Sequence, residues 1–189
     1  GYVHNLVASG LAQRHGRQLG LLIRDATTPA YGHLHSEVNQ AVEAAGRAQP
    51  EWARTAPRER SEILRRAFDL VMVRQDELAL IMTSEMGKPL AEAKGEIAYG
   101  ASFIEWFGEE AKRVYGETIP GHMADKRLTV LKQPIGVVGS ITPWNFPNAM
   151  ITRKCGPALA VGCGFVARPA AETPLSALAL AVLGERAGL

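Results

Sequence analysis

The 189-residue sequence is poor in cysteine, nearly neutral and without a long apolar run, and each scarcity excludes a class of protein. Two cysteines cannot form a disulfide framework and lack the spacing of a metal site, so we expect a cytoplasmic protein without bound metal. A net charge of +2 is too small to indicate a protein that binds nucleic acid. No stretch comes near the roughly 18 uninterrupted apolar residues of a membrane span. The remaining composition, 47% hydrophobic and 21% charged, is typical of a globular protein.

The amino-terminal segment, residues 1–34, differs in composition from the rest of the chain. It is basic, and its first acidic residue is Asp25. A basic, acid-free start is typical of an organellar transit peptide. We prefer two plainer interpretations, a cloning or reading-frame artefact and a poorly ordered terminus. Residues 1–34 are therefore left unassigned.

Residues 35–126 carry apolar residues at helical spacing. Ser36 is a capping residue, and Pro50 is expected to end the first helix. A second helix should begin near Pro57, and Gly87 should cap the end of a third. The expected helices are 36–49, a helix from about residue 57, 76–86, and a helix from about residue 89 toward residue 115. Gly95 and Gly100 weaken the fourth helix, so packing must hold it.

After Gly116 the pattern changes to short strands that alternate with helices. The expected elements are strands at 127–133 and 135–142, a helix at 148–161, a buried strand at 165–167 and a last helix that Thr173 caps and Pro174 opens. Strand and helix alternate in this way where crossover helices connect the strands of a parallel sheet. The series reaches only Leu189, so we expect an incomplete doubly wound α/β sheet.

One glycine pattern invites a cofactor interpretation and does not support it. Residues 162–167 match the dinucleotide-binding pattern G-x-G-x-x-G/A. The chemistry of that pattern needs a strand before the glycines and a helix after them. Here the order is reversed, so Gly162 and Gly164 are expected to turn a helix end into a buried strand.

The cysteines and histidines make a poor case for a nucleophile or a metal ligand. Cys155 follows two basic residues, which gives a weak argument for reactivity, whereas Cys163 has no such neighbour. Both are expected to pack in the core. His33 and His35 would share one face of a strand, but two ligands without a nearby cysteine or acid do not make a metal site.

The most informative stretch runs from Ser140 to Pro147. It leaves an apolar strand, makes a turn bounded by Pro143 and Pro147, and starts a helix. Asn145 is thereby held at the carboxyl end of a strand, where open α/β sheets bind ligands. Its amide is a neutral N–H donor suited to an oxyanion. A simple helix cap explains Asn145 equally well, and the local residues leave both interpretations open.

Two cations, Arg153 and Lys154, follow in the next helix. Arginine is the side chain best suited to bidentate recognition of a carboxylate. Without further information, an exposed cationic pair is the somewhat favoured interpretation.

Several of these segments resemble the aldehyde dehydrogenase superfamily. The resemblance is carried by residues 142–147, Lys154, residues 156–160, Gly162, Pro169, residues 173–174 and the upstream segment 84–89. It runs from about residue 36 to residue 189. Within the superfamily, residues 149–154 and 176–180 are most similar to the succinate-semialdehyde dehydrogenases.

The resemblance implies a role for each matching position. Asn145 would donate to the oxyanion of a thiohemiacetal, and Lys154 would lie near the nicotinamide and the reactive thiol. Arg153 would bind the substrate carboxylate. The cofactor, NADP or NAD, would be bound by Ile141, Thr142, Pro143, Trp144, Arg168, Pro169, Ala170 and Ala171.

The resemblance also implies a domain organisation. Residues 35–126 would form the helical part of a Rossmann-like cofactor domain, residues 127–140 the hairpin strands of an oligomerisation sheet, and residues 141–189 the first strand–helix units of the cofactor-binding sheet. Homodimers or homotetramers are expected. The first 34 residues do not match the family's usual opening strands.

Two departures from the family pattern bear on the cofactor. Arg168 stands where a lysine is usual, and Ala171 stands where many members carry a glutamate that repels a 2′-phosphate. An arginine without that carboxylate favours NADP, although Glu172 could compensate.

The family's catalytic cysteine, glutamate base and glycine-rich cofactor turn have no counterpart before Leu189. The sequence therefore predicts the amino-terminal portion of an NAD(P)-dependent aldehyde dehydrogenase, acting on succinate semialdehyde, whose 189 residues are inactive by themselves. The alternatives are an aldehyde dehydrogenase with another small aldehyde substrate and a non-catalytic fragment.

Overall fold

The structure, a computed structural model, describes residues 19–21 and 31–189, with side chains from residue 36 onward. Within those ranges its elements are β1 (Leu19–Leu21), α1 (Tyr31–Arg54), α2 (Pro57–Val73), α3 (Gln75–Met86), α4 (Leu90–Glu110), a short 3-10 helix (Ala111–Arg113), β2 (Glu117–Pro120), β3 (Arg127–Val130), β4 (Val137–Ile141), α5 (Ala149–Ala160), β5 (Gly164–Arg168) and α6 (Pro174–Ala187).

The main sheet is parallel, with the strand order β1–β5–β4. Phe165 pairs with Leu19 on one side of β5 and with Val138 on the other. Helix α5 connects β4 to β5, as a parallel pair requires. The prediction of an incomplete parallel α/β sheet preceded by helices is therefore confirmed.

Strand β1 lies within the segment that we left unassigned. It pairs with β5, so the opening segment does contribute a strand to the sheet. Its three residues, Leu-Gly-Leu, are too few for a periodicity to reveal. The rest of residues 1–30, on which the transit-peptide and artefact interpretations depend, lies outside the described residues, as do the side chains of His33 and His35.

Helix α1 differs from the prediction at both ends. It begins at Tyr31, so Ser36 lies inside it, where its hydroxyl accepts a hydrogen bond from Gln40 at 3.3 Å. It also continues through Pro50 to Arg54. Proline removes one backbone hydrogen bond, but the buried Trp52 compensates by tertiary contact: its indole N–H donates to the carbonyl of Leu159 at 3.0 Å.

Helices α2 to α4 follow the prediction closely. Pro57 is the first residue of α2, and Gly87 ends α3 with a φ of 77°, which glycine adopts at no steric cost. Helix α4 packs against α2, α3 and α5. Close packing explains one of the glycines that weaken α4, because a Cβ on Gly100 would overlap the side chain of Asn148, the residue before α5.

The predicted hairpin within residues 127–140 is wrong in its pairing. Strand β3 pairs antiparallel with β2, from Glu117 opposite Val130 to Pro120 opposite Arg127, whereas β4 pairs in parallel with β5. The reason is burial: β2 and β3 are exposed along their whole length, whereas the apolar β4 gains more by joining the sheet beside the buried β5. The predicted helical region 35–126 thus ends with a strand, and the boundary between residues 140 and 141 falls inside β4.

Candidate active site

The carboxyl ends of β4 and β5 lie side by side. Ile141, the last residue of β4, is in register with Arg168, the last residue of β5. The backbone N–H of Thr142 donates to the carbonyl of Arg168 at 3.1 Å. The two segments predicted to bind the cofactor, 141–144 and 168–171, therefore meet at one edge of the sheet.

This edge presents side chains to solvent. The Ile141 side chain is exposed, as are Pro143 and Trp144, whereas Thr142 and Pro169 are buried beneath them. Arg168 and Ala170 are half-buried, and Ala171 is exposed. An apolar residue such as Ile141, exposed at 75% at the end of a strand, leaves surface for a ligand to cover.

Asn145 projects from the turn that follows β4. It is exposed, and within the described residues its side-chain amide has no hydrogen-bond partner. It does not cap α5: the capping position is occupied by Asn148, whose side chain makes no capping hydrogen bond either. The helix-cap interpretation of Asn145 is therefore wrong, and its amide is free to donate to a ligand.

The backbone of this turn is fastened by Lys88, which follows the Gly87 cap of α3. The Lys88 ammonium donates to the carbonyl of Asn145 at 2.8 Å and lies 4.1 Å from the centre of the Phe146 ring. It also forms an ion pair with Glu96. The Lys88 side chain is only 10% exposed, so its charge is held almost entirely by these partners.

Glu96 projects from α4 and caps helix α5. Its Oε1 accepts hydrogen bonds from the backbone N–H groups of Asn148 at 3.0 Å and Ala149 at 3.3 Å. A carboxylate at a helix N-terminus is stabilised by the unpaired N–H groups and by the helix dipole. The carboxylate therefore joins the start of α5 to the ammonium that holds the turn.

Arg153 and Lys154 both lie against Met150 in the first turns of α5. Lys154 Nζ donates to the Met150 carbonyl at 2.9 Å, and the Arg153 guanidinium lies 3.8 Å from the Met150 sulfur and 5.7 Å from the centre of the Phe103 ring. Burial, and secondarily the charge of Arg153, lowers the pKa of Lys154. No hydrogen bond joins either cation to Asn145 within residues 36–189.

The two cysteines pack in or against the apolar core. Cys163 is buried just before β5. Cys155 lines a small apolar cavity with residues such as Leu64 and Ile151, and burial raises the pKa of its thiol to about 12. The Cys155 thiol is therefore not activated, because a nucleophilic cysteine needs a lowered pKa. Across the described part of the chain, no three His, Cys, Asp or Glu side chains cluster as a metal site requires.

Sequence reasoning missed Lys88 and Glu96. A signal for Glu96 exists: it lies three residues after Ala93 and four before Gly100, on the apolar face of α4 that also carries Ile97. A carboxylate on a buried face needs a partner. The connection of this pair to the Asn145 turn was not visible, because Lys88 and Asn145 are separated by 57 residues.

The sequence profile of the aldehyde dehydrogenase family matches residues 27–189. The chain belongs to the aldehyde dehydrogenase family. The match begins earlier than the resemblance seen from residue 36, and it includes all of the sheet edge described above.

Curated relatives and solved structures of this family cover most of the chain. Glutarate-semialdehyde dehydrogenase of Pseudomonas aeruginosa is 66% identical over 82% of this chain and 32% of its own length. The NADP-dependent succinate-semialdehyde dehydrogenase of Escherichia coli is 61% identical over 87% of this chain and 36% of its own. The crystal structure of succinate-semialdehyde dehydrogenase from Burkholderia pseudomallei is 62% identical, with a TM-score of 0.80 over 82% of this chain and 32% of that one. The chain thus spans about a third of the length of these relatives.

Proposed function

We propose that this chain is the amino-terminal part of an NAD(P)-dependent aldehyde dehydrogenase that oxidises succinate semialdehyde to succinate. The observation that carries the proposal is Asn145, whose side-chain amide projects from the turn at the carboxyl end of β4 and has no hydrogen-bond partner in the part of the chain that the structure describes. Among the described helices, none combines the length and apolar character that crossing a bilayer requires.

Asn145 would act as the oxyanion donor. When a thiolate from outside this sequence attacks the aldehyde carbon, the C=O electron pair moves onto oxygen, and an N–H donor stabilises that charge. A neutral amide serves here at any working pH because it does not titrate. NAD(P)⁺, when bound, accepts the hydride that then leaves the same carbon.

Lys154 would be the second residue of the reacting centre. Its pKa is lowered by burial and by the charge of Arg153, and within residues 36–189 no carboxylate pairs with its ammonium. The positive charge of the ammonium favours the thiolate form of a nucleophile near it.

The sheet edge fits a phosphorylated dinucleotide. Arg168, half-buried at the end of β5, offers a guanidinium to a 2′-phosphate, and Ala171, three positions later, carries no carboxylate; the nearest one in the sequence is that of the exposed Glu172. Ile141 and Trp144, both exposed, would contact the apolar faces of the cofactor. We therefore propose NADP as the preferred cofactor, with NAD as the alternative; turnover measured with each cofactor decides between them.

Arg153 would select the substrate by its distal carboxylate. It is exposed, and within residues 36–189 no carboxylate pairs with it, so its guanidinium is available to a small anion. The relatives support this class, since both succinate and glutarate semialdehyde carry a carboxylate opposite the aldehyde. Glutarate semialdehyde is the second candidate substrate, favoured by the 66% identical Pseudomonas aeruginosa enzyme.

The test is an Arg153→Ala change in the full-length enzyme that carries these residues. Losing a charge-assisted hydrogen bond of about 1.5–3 kcal/mol should lower kcat/KM for succinate and glutarate semialdehyde by roughly 10- to 150-fold. Butanal, which has no carboxylate, should lose little. Arg58→Ala, which removes an exposed arginine paired with Glu62 at 2.9 Å, is the matched control and should change neither substrate.

An equal loss for butanal would contradict the role of Arg153 and favour an aldehyde dehydrogenase of different substrate. The unmodified enzyme decides between the two semialdehydes by the ratio of its kcat/KM values.

We also propose that these 189 residues do not oxidise aldehydes by themselves, because the two cysteines of the sequence pack in or against the apolar core. Assembly into dimers or tetramers through the exposed β2–β3 hairpin and a cytoplasmic location belong to the same proposal. The non-catalytic fragment remains the alternative from a different class.

A further inference from the structure

The ion pair between Lys88 and Glu96 binds the turn after β4 at three backbone positions. Lys88 holds the carbonyl of Asn145 and lies over the ring of Phe146, and Glu96 holds the N–H groups of Asn148 and Ala149. The turn is thus fixed before, at and after the point where it enters α5. Within the described residues, the Asn145 side-chain amide makes no hydrogen bond of its own.

This arrangement does more than an ion pair needs for its own stability. A buried pair often contributes little to stability relative to apolar residues of the same size, because burial removes both charges from water. Glu96 is 1% exposed and Lys88 10%. Each group makes further hydrogen bonds to the backbone of one turn, so the pair is organised around that turn.

We propose that Lys88 and Glu96 are positioning residues that hold Asn145 in the orientation in which its amide meets the developing oxyanion; this inference rests on the function proposed above. An oxyanion donor is effective only when it is fixed in place before the reaction. Because the Lys88 ammonium donates a hydrogen bond to the carbonyl of Asn145 itself, a shift of the ammonium moves the Cα of Asn145 and changes the direction of its amide. Misplacement by about 1 Å can cost on the order of 100-fold in rate.

The test removes the ion pair and the Lys88 hydrogen bond to the Asn145 carbonyl without leaving a buried charge. In the full-length enzyme, Lys88→Met with Glu96→Gln deletes both charges, while the side-chain carbonyl introduced by Glu96→Gln can still accept from the N–H groups of α5. We expect kcat and kcat/KM for the aldehyde to fall together by roughly 10- to 100-fold, because the lost interaction acts in the transition state.

A double-mutant cycle separates positioning from structural support. In an Asn145→Ala background no amide remains to be oriented, so the same double change should cost less than about threefold. If the loss is the same in both backgrounds, the ion pair acts on the fold and not through Asn145, and the inference is wrong.

Two further variants keep the test decisive. Lys88→Arg retains the ion pair but moves the donor at the Asn145 carbonyl; should the double variant fail to fold, this one is expected to lose about 3- to 10-fold, again only when Asn145 is present. The control is Lys94→Met with Asp76→Asn, which removes a more exposed ion pair of 2.8 Å between α3 and α4 and should leave kcat unchanged.

Failure of the inference differs from failure of the proposed function. An unmodified full-length enzyme that does not oxidise aldehydes refutes the proposed function before any variant is made. An active enzyme whose cycle is additive refutes only the positioning role.

Discussion

The two strand-to-helix turns of the parallel sheet solve the same problem in different ways. Helices α5 and α6 each begin after a strand, and neither N-cap residue, Asn148 or Thr173, makes a side-chain capping bond. Each helix instead receives a glutamate from the α3–α4 region. Glu96 accepts from the first N–H groups of α5, and Glu85 accepts from the N–H groups of Leu175 and Ser176 in α6.

The difference lies in burial and counter-charge. Glu96 is almost fully buried and needs a cation, and that cation, Lys88, also holds the turn. Glu85 is half-buried and makes no ion pair within the described residues; besides the two N–H groups it accepts only from the Ser176 hydroxyl, at 2.7 Å. A cap of either kind satisfies the helix start. Only the buried one brings a second group that fixes the backbone of its turn, and that turn carries Asn145.

Removing each glutamate should break the two turns unequally. Glu96→Ala leaves Lys88 as a buried unpaired charge, so we expect the free energy of unfolding of the full-length enzyme to fall by about 3–5 kcal/mol. Glu85→Ala removes a cap and no ion pair, which should cost about 0.5–2 kcal/mol. Urea denaturation followed by circular dichroism measures both values.

The control for this comparison is Glu92→Ala, an exposed glutamate in the first turn of α4, expected to change stability by less than about 0.5 kcal/mol. An equal loss of unfolding free energy for Glu85→Ala and Glu96→Ala would show that the Lys88 counter-charge adds nothing to the helix cap.

Local chemistry made much of this fold predictable. Pro57 at a first helical position, Gly87 after a last one, and Gly162 turning α5 into β5 with a φ of 92° each act within a few residues. The turn around Asn145 was predictable for the same reason, since Pro143 and Pro147 limit its backbone from within.

What could not be predicted depends on contacts between distant segments. Pro50 is tolerated inside α1 because Trp52 reaches the carbonyl of Leu159, which is 107 residues away in the chain. Strand β4 leaves its neighbour β3 to pair with β5 because burial there outweighs proximity. The contacts of Lys88 and Glu96 with the Asn145 turn, which join positions 52 to 57 residues apart, belong to this class.

Packing beneath the Asn145 turn gives a second way to sharpen the comparison. A Cβ on Gly100 would overlap Oδ1 of Asn148, whose buried amide has no hydrogen-bond partner within the described residues. Although alanine is the better helix former, we expect Gly100→Ala to lower the free energy of unfolding by about 1–3 kcal/mol. Thermal or urea unfolding of the full-length enzyme measures the change.

Gly95 in the same helix is the matched control, because nothing lies within 4 Å of a Cβ placed there. Gly95→Ala should raise stability by roughly 0.5–1 kcal/mol. Adding Asn148→Ala to Gly100→Ala should recover most of the loss, since the overlapping group is gone. A gain in stability from Gly100→Ala would contradict the close packing of α4 on this turn.

The smallest effect concerns Cys155, which tests whether the tight packing continues along α5 beyond the turn. Its thiol has a pKa of about 12 in the folded chain, because burial disfavours the thiolate, against about 8.5 in an unfolded chain. Above about pH 8.5 the unfolded state therefore loses a proton that the folded state keeps. The associated stability is complete well below that pH and is lost progressively up to about pH 12. By pH 9 the loss is on the order of 1 kcal/mol or less. Urea unfolding of the enzyme and of its Cys155→Ala variant, at about pH 7 and about pH 9, measures this loss, because the contributions of all other titrating groups cancel between the two proteins. If the free energy of unfolding depends on pH equally in both proteins, the thiol is solvated and does not pack closely along α5.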